Sequence, residues 1–379
     1  MHPVKPAAGT PIMVALSGGV DSATTAWLLQ QQGYAVAALF MKNWEDDDTD
    51  GQCSAEQDAA DAEAIAQQLG IPFHARNLAM EYWESVFEHF LSELRLGRTP
   101  NPDILCNREI KFKAMVEHAN DLGYEWIATG HYARRAQTSK GEHLLLKGVD
   151  DNKDQSYFLH ALDQQQLAQA LLPLGEYTKA EVRAMAGKAN LKVAAKKDST
   201  GICFIGEQRF EPFVDRYLKA VPGDIHTPEG ECIGQHTGLI HYTLGQRRGL
   251  RIGGLKHHPE APWFVAHKDL DNNRLIAVQD SEHPWLMSTA LDTEAPHWIA
   301  GHAPSGNQSL TARIRYRQAD QPCHIEHADG EGMRVRFDRS QRAVTPGQSI
   351  VLYDGDVCLG GAVIRQGNAP LPQTRELAA

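Results

Sequence analysis

The residues best placed to do chemistry come in one run: Ala15, Leu16, Ser17, Gly18, Gly19, Val20, Asp21 and Ser22. Two successive glycines let the backbone aim its N–H groups at one point. A helix beginning just after them adds unpaired N–H groups and a positive dipole end. Such a point suits an anion. The hydroxyls of Ser17 and Ser22 would join it, whereas Asp21 is out of place beside a phosphate unless a cation such as Mg²⁺ is shared there. No lysine follows the glycines, which excludes a Walker A loop, and no third glycine supports a dinucleotide fingerprint.

Two thiols have chemical surroundings. In Asn101, Pro102, Asp103 and Cys106, asparagine as an N-cap and proline at the first helical position predict a helix start. Asp103 and Cys106 would then lie three apart on one face, a carboxylate and a thiol sharing a pocket. Cys203 follows Lys196 and Lys197 in a polar, glycine-bearing loop, and these cations would lower its pKa if they point at it. Cys53, Cys232, Cys323 and Cys358 read as small buried hydrophobes. Six cysteines with no Cys-x-x-Cys spacing make neither a disulfide framework nor a zinc knuckle.

The elements that must position these groups follow from the apolar pattern. An unbroken apolar run at residues 12–16 predicts a strand buried on both faces, followed by a helix from Ala23. Residues 35–40, 72–78 and 126–129 predict further strands, and Gly130 lies just past the carboxyl end of the last. Helices are predicted from the capping box at Ser54 to Leu69, and over residues 80–96 with Tyr82, Val86, Phe87, Phe90, Leu91 and Leu94 as its core stripe. Alternating strand and helix imply an α/β fold, a doubly wound parallel sheet, over the first part of the chain. Short helices follow Lys147, one opened by a capping box at Thr178. Beyond Gly206 the texture turns to short β segments, and from His283 to antiparallel strands at residues 313–316, 333–337, 349–353 and 357–364, closing as a small barrel. The expected domains are residues 1–206, a small central β-rich domain at 207–282 and a C-terminal antiparallel β-barrel at 283–379.

At 379 residues and 42% hydrophobic, the chain can fill two or three cores. It has no span-length apolar segment and no signal pattern at its start, so the expected location is cytoplasmic. The net charge of −11 argues mildly against a nucleic-acid partner, although arginines gather at Arg247, Arg248 and Arg251, and again at Arg313, Arg315 and Arg317. Period-two spacing would put the latter three on one strand face.

The glycine loop resembles the Ser-Gly-Gly-x-Asp-Ser loop of the N-type ATP pyrophosphatases, which activate an oxygen by adenylation. Together with residues 40–44, 99–103 with Cys106, Thr129-Gly130-His131-Tyr132, 153–157, 198–203 and Arg315-Tyr316-Arg317, it is similar to the motifs of the bacterial tRNA-specific 2-thiouridylase (MnmA) family. The resemblance implies ATP on residues 15–22, with Met41 near the adenine and Gly130 in contact. It further implies a target uridine at Asn101, Pro102 and Asp103, and tRNA contacts from His131, Lys153, Asp154, Gln155, Arg315, Tyr316 and Gln348. Mg²⁺ would accompany ATP, Cys203 would carry a persulfide delivered by a sulfur donor protein, Cys106 would attack the base or reduce the persulfide, and Asp103 would serve as acid or base. A nitrogen-transferring ATP pyrophosphatase, or an RNA-binding protein without catalysis, is the rival reading. The first needs no paired thiols, and the second needs no intact Ser17, Asp21 and Ser22.

Overall fold

The computed structural model describes residues 2–3, 5–45, 54–197, 210–255, 257–304 and 309–371. Five parallel strands form the first sheet in the spatial order Phe73–Asn77, Ala35–Lys42, Pro11–Ala15, Trp126–Ala128, Ala170–Leu171. The central strand, Pro11–Ala15, is buried on both faces because helices cover the sheet on either side, as its unbroken apolar run requires. One group of side chains, including Met13, Leu39 and Ile127, packs toward Phe112 and Met115. On the other side Leu16, Val20 and Ala38 pack toward Ile65 and Leu191. The fifth strand, only two residues long, has too little sequence to be read in advance.

The helices begin where their caps predict. Asn101 accepts from Asp103 N at 3.1 Å with Pro102 at the first helical position. Thr178 and Glu181 form a reciprocal capping box at the start of Lys179–Lys188. The stripe from Tyr82 to Leu94 is buried, and its helix includes a π-wound turn at Trp83–Phe87. The helix begun at Asn101 likewise widens to π over Cys106–Ala114.

Six antiparallel strands close the C-terminal barrel in the ring order Met287–Thr293, Met333–Arg342, Gln321–Ala328, Leu310–Arg313, Ser349–Asp354, Val357–Gly367 and back to the first. Its sheet extends into the N-terminal half of the chain. Leu145 and Leu146 of His143–Lys147 pair with Cys358 and Val357, and His143–Lys147 pairs with Ala133–Gln137. A buried ion pair reinforces that junction: Arg313 Nη1 donates to Asp154 Oδ2 at 2.6 Å, and Arg313 Nε donates to Asp320. Between the two lies a four-stranded sheet in the order Cys232–His236, Gly223–His226, Arg274–Gln279, Trp263–Asp269, with its own small core.

The expected arginine stripe does not form. The strand predicted at residues 313–316 ends at Arg313, and the chain bends away, reaching a left-handed φ of 64° at Arg317. Arg313 therefore points inward, Arg315 is half-buried and Arg317 is exposed.

Candidate active site

The glycine loop connects Pro11–Ala15 to the helix Val20–Gln31 at the carboxyl edge of the parallel sheet, where open α/β sheets bind ligands. Gly18 has φ +73°, and a Cβ there would stand 2.6 Å from the carbonyl oxygen of Asp58, so only glycine fits. The loop is braced from within. Ser22 Oγ donates to Gly19 O at 3.1 Å, accepts from Ser17 N at 3.2 Å and lies 3.3 Å from Ser17 Oγ. Gly19 is the N-cap and makes no side-chain cap hydrogen bond, and the first N–H groups of a helix have no intrahelical partner. Ala15, Leu16 and Val20 anchor the loop: Leu16 N donates to Leu39 O, and Leu16 and Val20 are buried. Gly130 backs it, since a Cβ there would meet the backbone of Asp21 and Ser22 at 3.1 Å. Met41 is half-buried at the end of the adjacent strand. These features make a braced loop whose backbone N–H groups suit an anion such as a phosphate.

Two lysines converge on this loop, and neither carries a local signal in the sequence that points to it. Lys179 Nζ donates to Asp21 Oδ1 and Oδ2 at 2.7 and 2.8 Å, and Tyr132 OH donates to Asp21 Oδ1 at 2.8 Å. The cation that accounts for Asp21 in this structure is therefore an ammonium group. Lys196 Nζ donates to Gly18 O at 3.1 Å and to Asp58 and Asp61 at 3.0 and 2.6 Å. Burial works against its charge, but the hydrogen bonds to Asp61 and Asp58 outweigh that and raise its pKa. Lys196 thus serves the loop. Cys203 and the residues beside it, 198–209, lie outside the described residues, as does Cys53.

The second thiol is placed differently from expectation. Asp103 is half-buried, but Cys106 is 0% exposed, set among Tyr82, Val86, Phe87, Ile110, Phe213 and Val214. Three-residue spacing puts the two positions near one face of the helix, but the thiol packs into this apolar cluster while Asp103 stays half-buried. Asn101 and Pro102 line a cleft of about 210 Å³ between the N-terminal domain and the barrel, opposite Gly347, Ser349 and Gly361. Arg108 lines the same cleft.

The expected tRNA contacts separate into inner and outer groups. His131 is 8% exposed with Nδ1 2.8 Å from Thr129 Oγ1, and burial, with Lys111 nearby, holds its pKa well below the usual histidine value. Asp154 is 2% exposed and accepts from Gly148 N, Ser156 N, Ser156 Oγ and Arg313, so its carboxylate faces the interior. Gln155 is tied to the backbone of Tyr132 in both directions, while Lys153 is half-buried. Arg315 Nη2 donates to Leu244 O, Ala343 O and Thr345 Oγ1, joining the barrel to the central domain. Tyr316 packs its ring 4.4 Å from that of Phe158. Gln348 Nε2 donates to Thr99 O at 2.7 Å, beside the Asn101 segment.

This geometry coincides with relationships along the whole chain. Residues 10–207 match a family described as the tRNA methyl transferase HUP domain, 211–279 its PRC-barrel domain and 288–364 an aminomethyltransferase beta-barrel domain. The tRNA-specific 2-thiouridylase MnmA of Chromohalobacter salexigens is 59% identical over 354 residues, 93% of this chain and 92% of that protein. The chain belongs to the MnmA family. Other MnmA proteins agree, including that of Pseudomonas entomophila at 56% identity over 95% of this chain and 96% of its own length. That of Francisella philomiragia is 55% identical over 93% and 98%. The glycine loop, the cleft at Asn101, the central sheet and the C-terminal barrel thus fall inside the matched regions.

Proposed function

We propose that this protein is a tRNA-specific 2-thiouridylase, a sulfurtransferase that replaces O2 of the wobble uridine by sulfur at the expense of ATP. The observation that carries the reading is identity of 55–59% to 2-thiouridylases across all three parts of the chain. The cradle at Ser17, Gly18, Gly19 and Ser22 supports it, because it offers donors to a phosphate chain and no Walker lysine to favour cleavage at the terminal phosphate. ATP lies on residues 15–22 with its base toward Met41 and Gly130. Asp21 would hold the Mg²⁺ that accompanies ATP, which would offset phosphate charge there, and Lys179, freed from that carboxylate, would reach the phosphates.

In the first step the C2 oxygen of uracil forms a bond to the α-phosphorus and pyrophosphate leaves. Loop N–H groups and Lys179 stabilise the charge that leaves with it. In the second, the persulfide on Cys203 delivers its outer sulfur to C2 and AMP departs with the original oxygen. If Cys106 supplies the two electrons, a Cys106–Cys203 disulfide remains and an external dithiol resets it. If Cys106 instead attacks C2 first, AMP leaves at that point and the Cys203 persulfide then displaces Cys106 from C2. The freed Cys106 thiolate attacks the inner sulfur on Cys203, releasing 2-thiouridine and leaving the same disulfide for the dithiol. Asp103 moves the proton at the base.

The RNA side of the reading draws on Asn101, Pro102 and Asp103 at the base, and on Lys153, Gln155, Arg315, Tyr316 and Gln348 near it. His131 and Asp154 shape the site from inside. Among the described residues no helix is long and apolar enough to cross a membrane, and the demand for tRNA, ATP and a dithiol fits a cytoplasmic enzyme. Incubation with tRNA, ATP, Mg²⁺ and a persulfide donor, followed by nucleoside analysis, tests the proposal. It should yield 2-thiouridine at the wobble position with one AMP and one pyrophosphate each; ADP and phosphate would overturn it.

A further inference from the structure

The central domain forms its edge hairpin from Gly223–His226 and Cys232–His236, paired antiparallel with His226 opposite Cys232. Residues opposite each other in such a pair present their side chains on one face, and Asp224, two residues before His226, shares it. A carboxylate oxygen, an imidazole nitrogen and a thiol sulfur consequently all lie within 4.8 Å of one another. Sequence reading takes Cys232 for a buried hydrophobe. Its thiol is exposed, as is Asp224, and His226 is half-buried.

The surroundings orient these groups. Nδ1 of His226 lies 3.0 Å from the carbonyl oxygen of Gly230 in the hairpin turn. That contact holds the ring proton on Nδ1 and leaves the Nε2 lone pair on offer, the arrangement that fixes metal-binding imidazoles. Gln235 Nε2 reaches Asp224 Oδ1 at 3.4 Å from the neighbouring strand. The pairing register shifts between Cys232 and Gly234, a bulge that re-aims the side chain beside it. The adjoining carboxylate of Glu231 is engaged by His258 Nε2 at 3.0 Å, so it does not compete for the same place.

We propose that Asp224, His226 and Cys232 bind a thiophilic divalent cation, Zn²⁺ above all, with water as the fourth ligand. Thiolate and imidazole together select against Mg²⁺ and Ca²⁺, which take oxygen. Metal–ligand bonds of about 2.0–2.3 Å set tetrahedral ligand atoms roughly 3.3–3.7 Å apart, so surface side chains need close only ~1 Å by small rotations. One proton leaves the Cys232 thiol for solvent as the sulfur–metal bond forms, and no electron moves. The ion clips an edge strand to its neighbour across the turn at residues 227–231. The domain it braces rests on a small core that includes Ile225, Ile233 and Leu275, where such a staple has most effect.

Co²⁺ makes the site visible, because thiolate ligation gives a near-ultraviolet charge-transfer band and tetrahedral geometry gives visible bands. Titration of the full-length reduced protein should show one equivalent with that spectrum, displaced by Zn²⁺. The signal should vanish in Cys232→Ser and in His226→Ala and persist in Cys106→Ser and Cys203→Ser. Zn²⁺ should raise the thermal midpoint of the wild type and of Cys203→Ser, but not of Cys232→Ser. A spectrum that survives Cys232→Ser, one removed by Cys203→Ser instead, or no binding at micromolar Co²⁺ would overturn the site.

Discussion

Lys179 and Asp21, 158 residues apart in the chain, meet with the lysine ammonium 2.7 and 2.8 Å from the two carboxylate oxygens. This contact ties the first turn of Val20–Gln31 to the first turn of the capped helix Lys179–Lys188 and puts a cation beside the glycine loop. Asp21 is thus already paired with an ammonium group in this structure, and on the proposed mechanism a Mg²⁺ that reached it with ATP would have to displace Lys179.

Lys179→Ala should therefore slow adenylation without touching tRNA recognition. A charge-assisted hydrogen bond contributes about 1.5–3 kcal/mol, which is roughly 10- to 100-fold in rate if it is made to the leaving pyrophosphate. AMP release under single-turnover conditions measures the first effect and filter binding of tRNA the second. Asp21→Ala should abolish adenylation, and equal loss of tRNA binding in that variant would make its role structural.

Gly18→Ala should destabilise the protein and remove ATP binding together. Its φ of 73° and the 2.6 Å approach of a Cβ to Asp58 O leave no room for relaxation except by moving the loop. A cost of about 1–3 kcal/mol is expected from the strained backbone alone. Denaturant titration gives the first quantity and equilibrium dialysis of ATP the second; unchanged ATP affinity would exclude the loop from the nucleotide site.

The pH dependence of stability should have an acid limb set by buried histidines. Burial lowers the pKa of His160 to about 4, and that of His131 in the same direction. Above the unfolded value of about 6.5 both states carry a neutral ring and no slope arises. Between there and about 4 the unfolded chain binds a proton that the folded chain refuses, so stability falls as pH falls, by up to ~3 kcal/mol for His160. His160→Asn should flatten that limb in denaturant titrations from pH 7 to pH 4. An unchanged slope would show that this ring is accessible to protons.

How much of this could be read from the sequence depended on the range of the interaction. Apolar runs and caps specify the parallel strands and helix starts because those signals are local, and the glycine loop carries its own geometry. The pairing of Leu145 and Leu146 with Cys358 and Val357 joins segments some two hundred residues apart and leaves no local trace. Lys179 looks like an ordinary solvated lysine after a capping threonine, because its partner is remote in sequence. Period-two spacing misled at Arg313, Arg315 and Arg317 since it presumes a strand that ends after the first of them. Net charge misled too, because −11 averages over the whole surface while tRNA would meet only part of it.

Those three arginines should respond differently. Arg317→Ala should lower the slope of log affinity against log salt by about one if its exposed guanidinium neutralises one phosphate. Arg315→Ala should weaken tRNA binding and also loosen the contact of the barrel with Leu244 of the central domain. Arg313→Ala should act on stability, costing about 3–5 kcal/mol by stranding the buried Asp154. tRNA titrations across a salt series, beside thermal melts, separate the three. An identical salt slope in all of them would remove this bend from the RNA interface.

The two thiols should be unequal both in access and in sulfur chemistry. Cys106 lies in an apolar cluster beneath Phe213 and Val214, so in the free enzyme it should resist alkylation, and it must come out of that cover to meet a base held at Asn101, Pro102 and Asp103. Alkylation of Cys106 should accelerate when tRNA and ATP are both present, read by peptide mass spectrometry. Cys203, in a polar, glycine-bearing stretch of sequence, should accept sulfur from the donor without either ligand. Cys203→Ser should then carry no persulfide after exposure to the donor, whereas Cys106→Ser should carry it and still fail to thiolate. Both should bind tRNA. Persulfide on Cys106 with Cys203 bare would reverse the roles, and full thiolation by the double serine variant given the same donor would refute thiol catalysis.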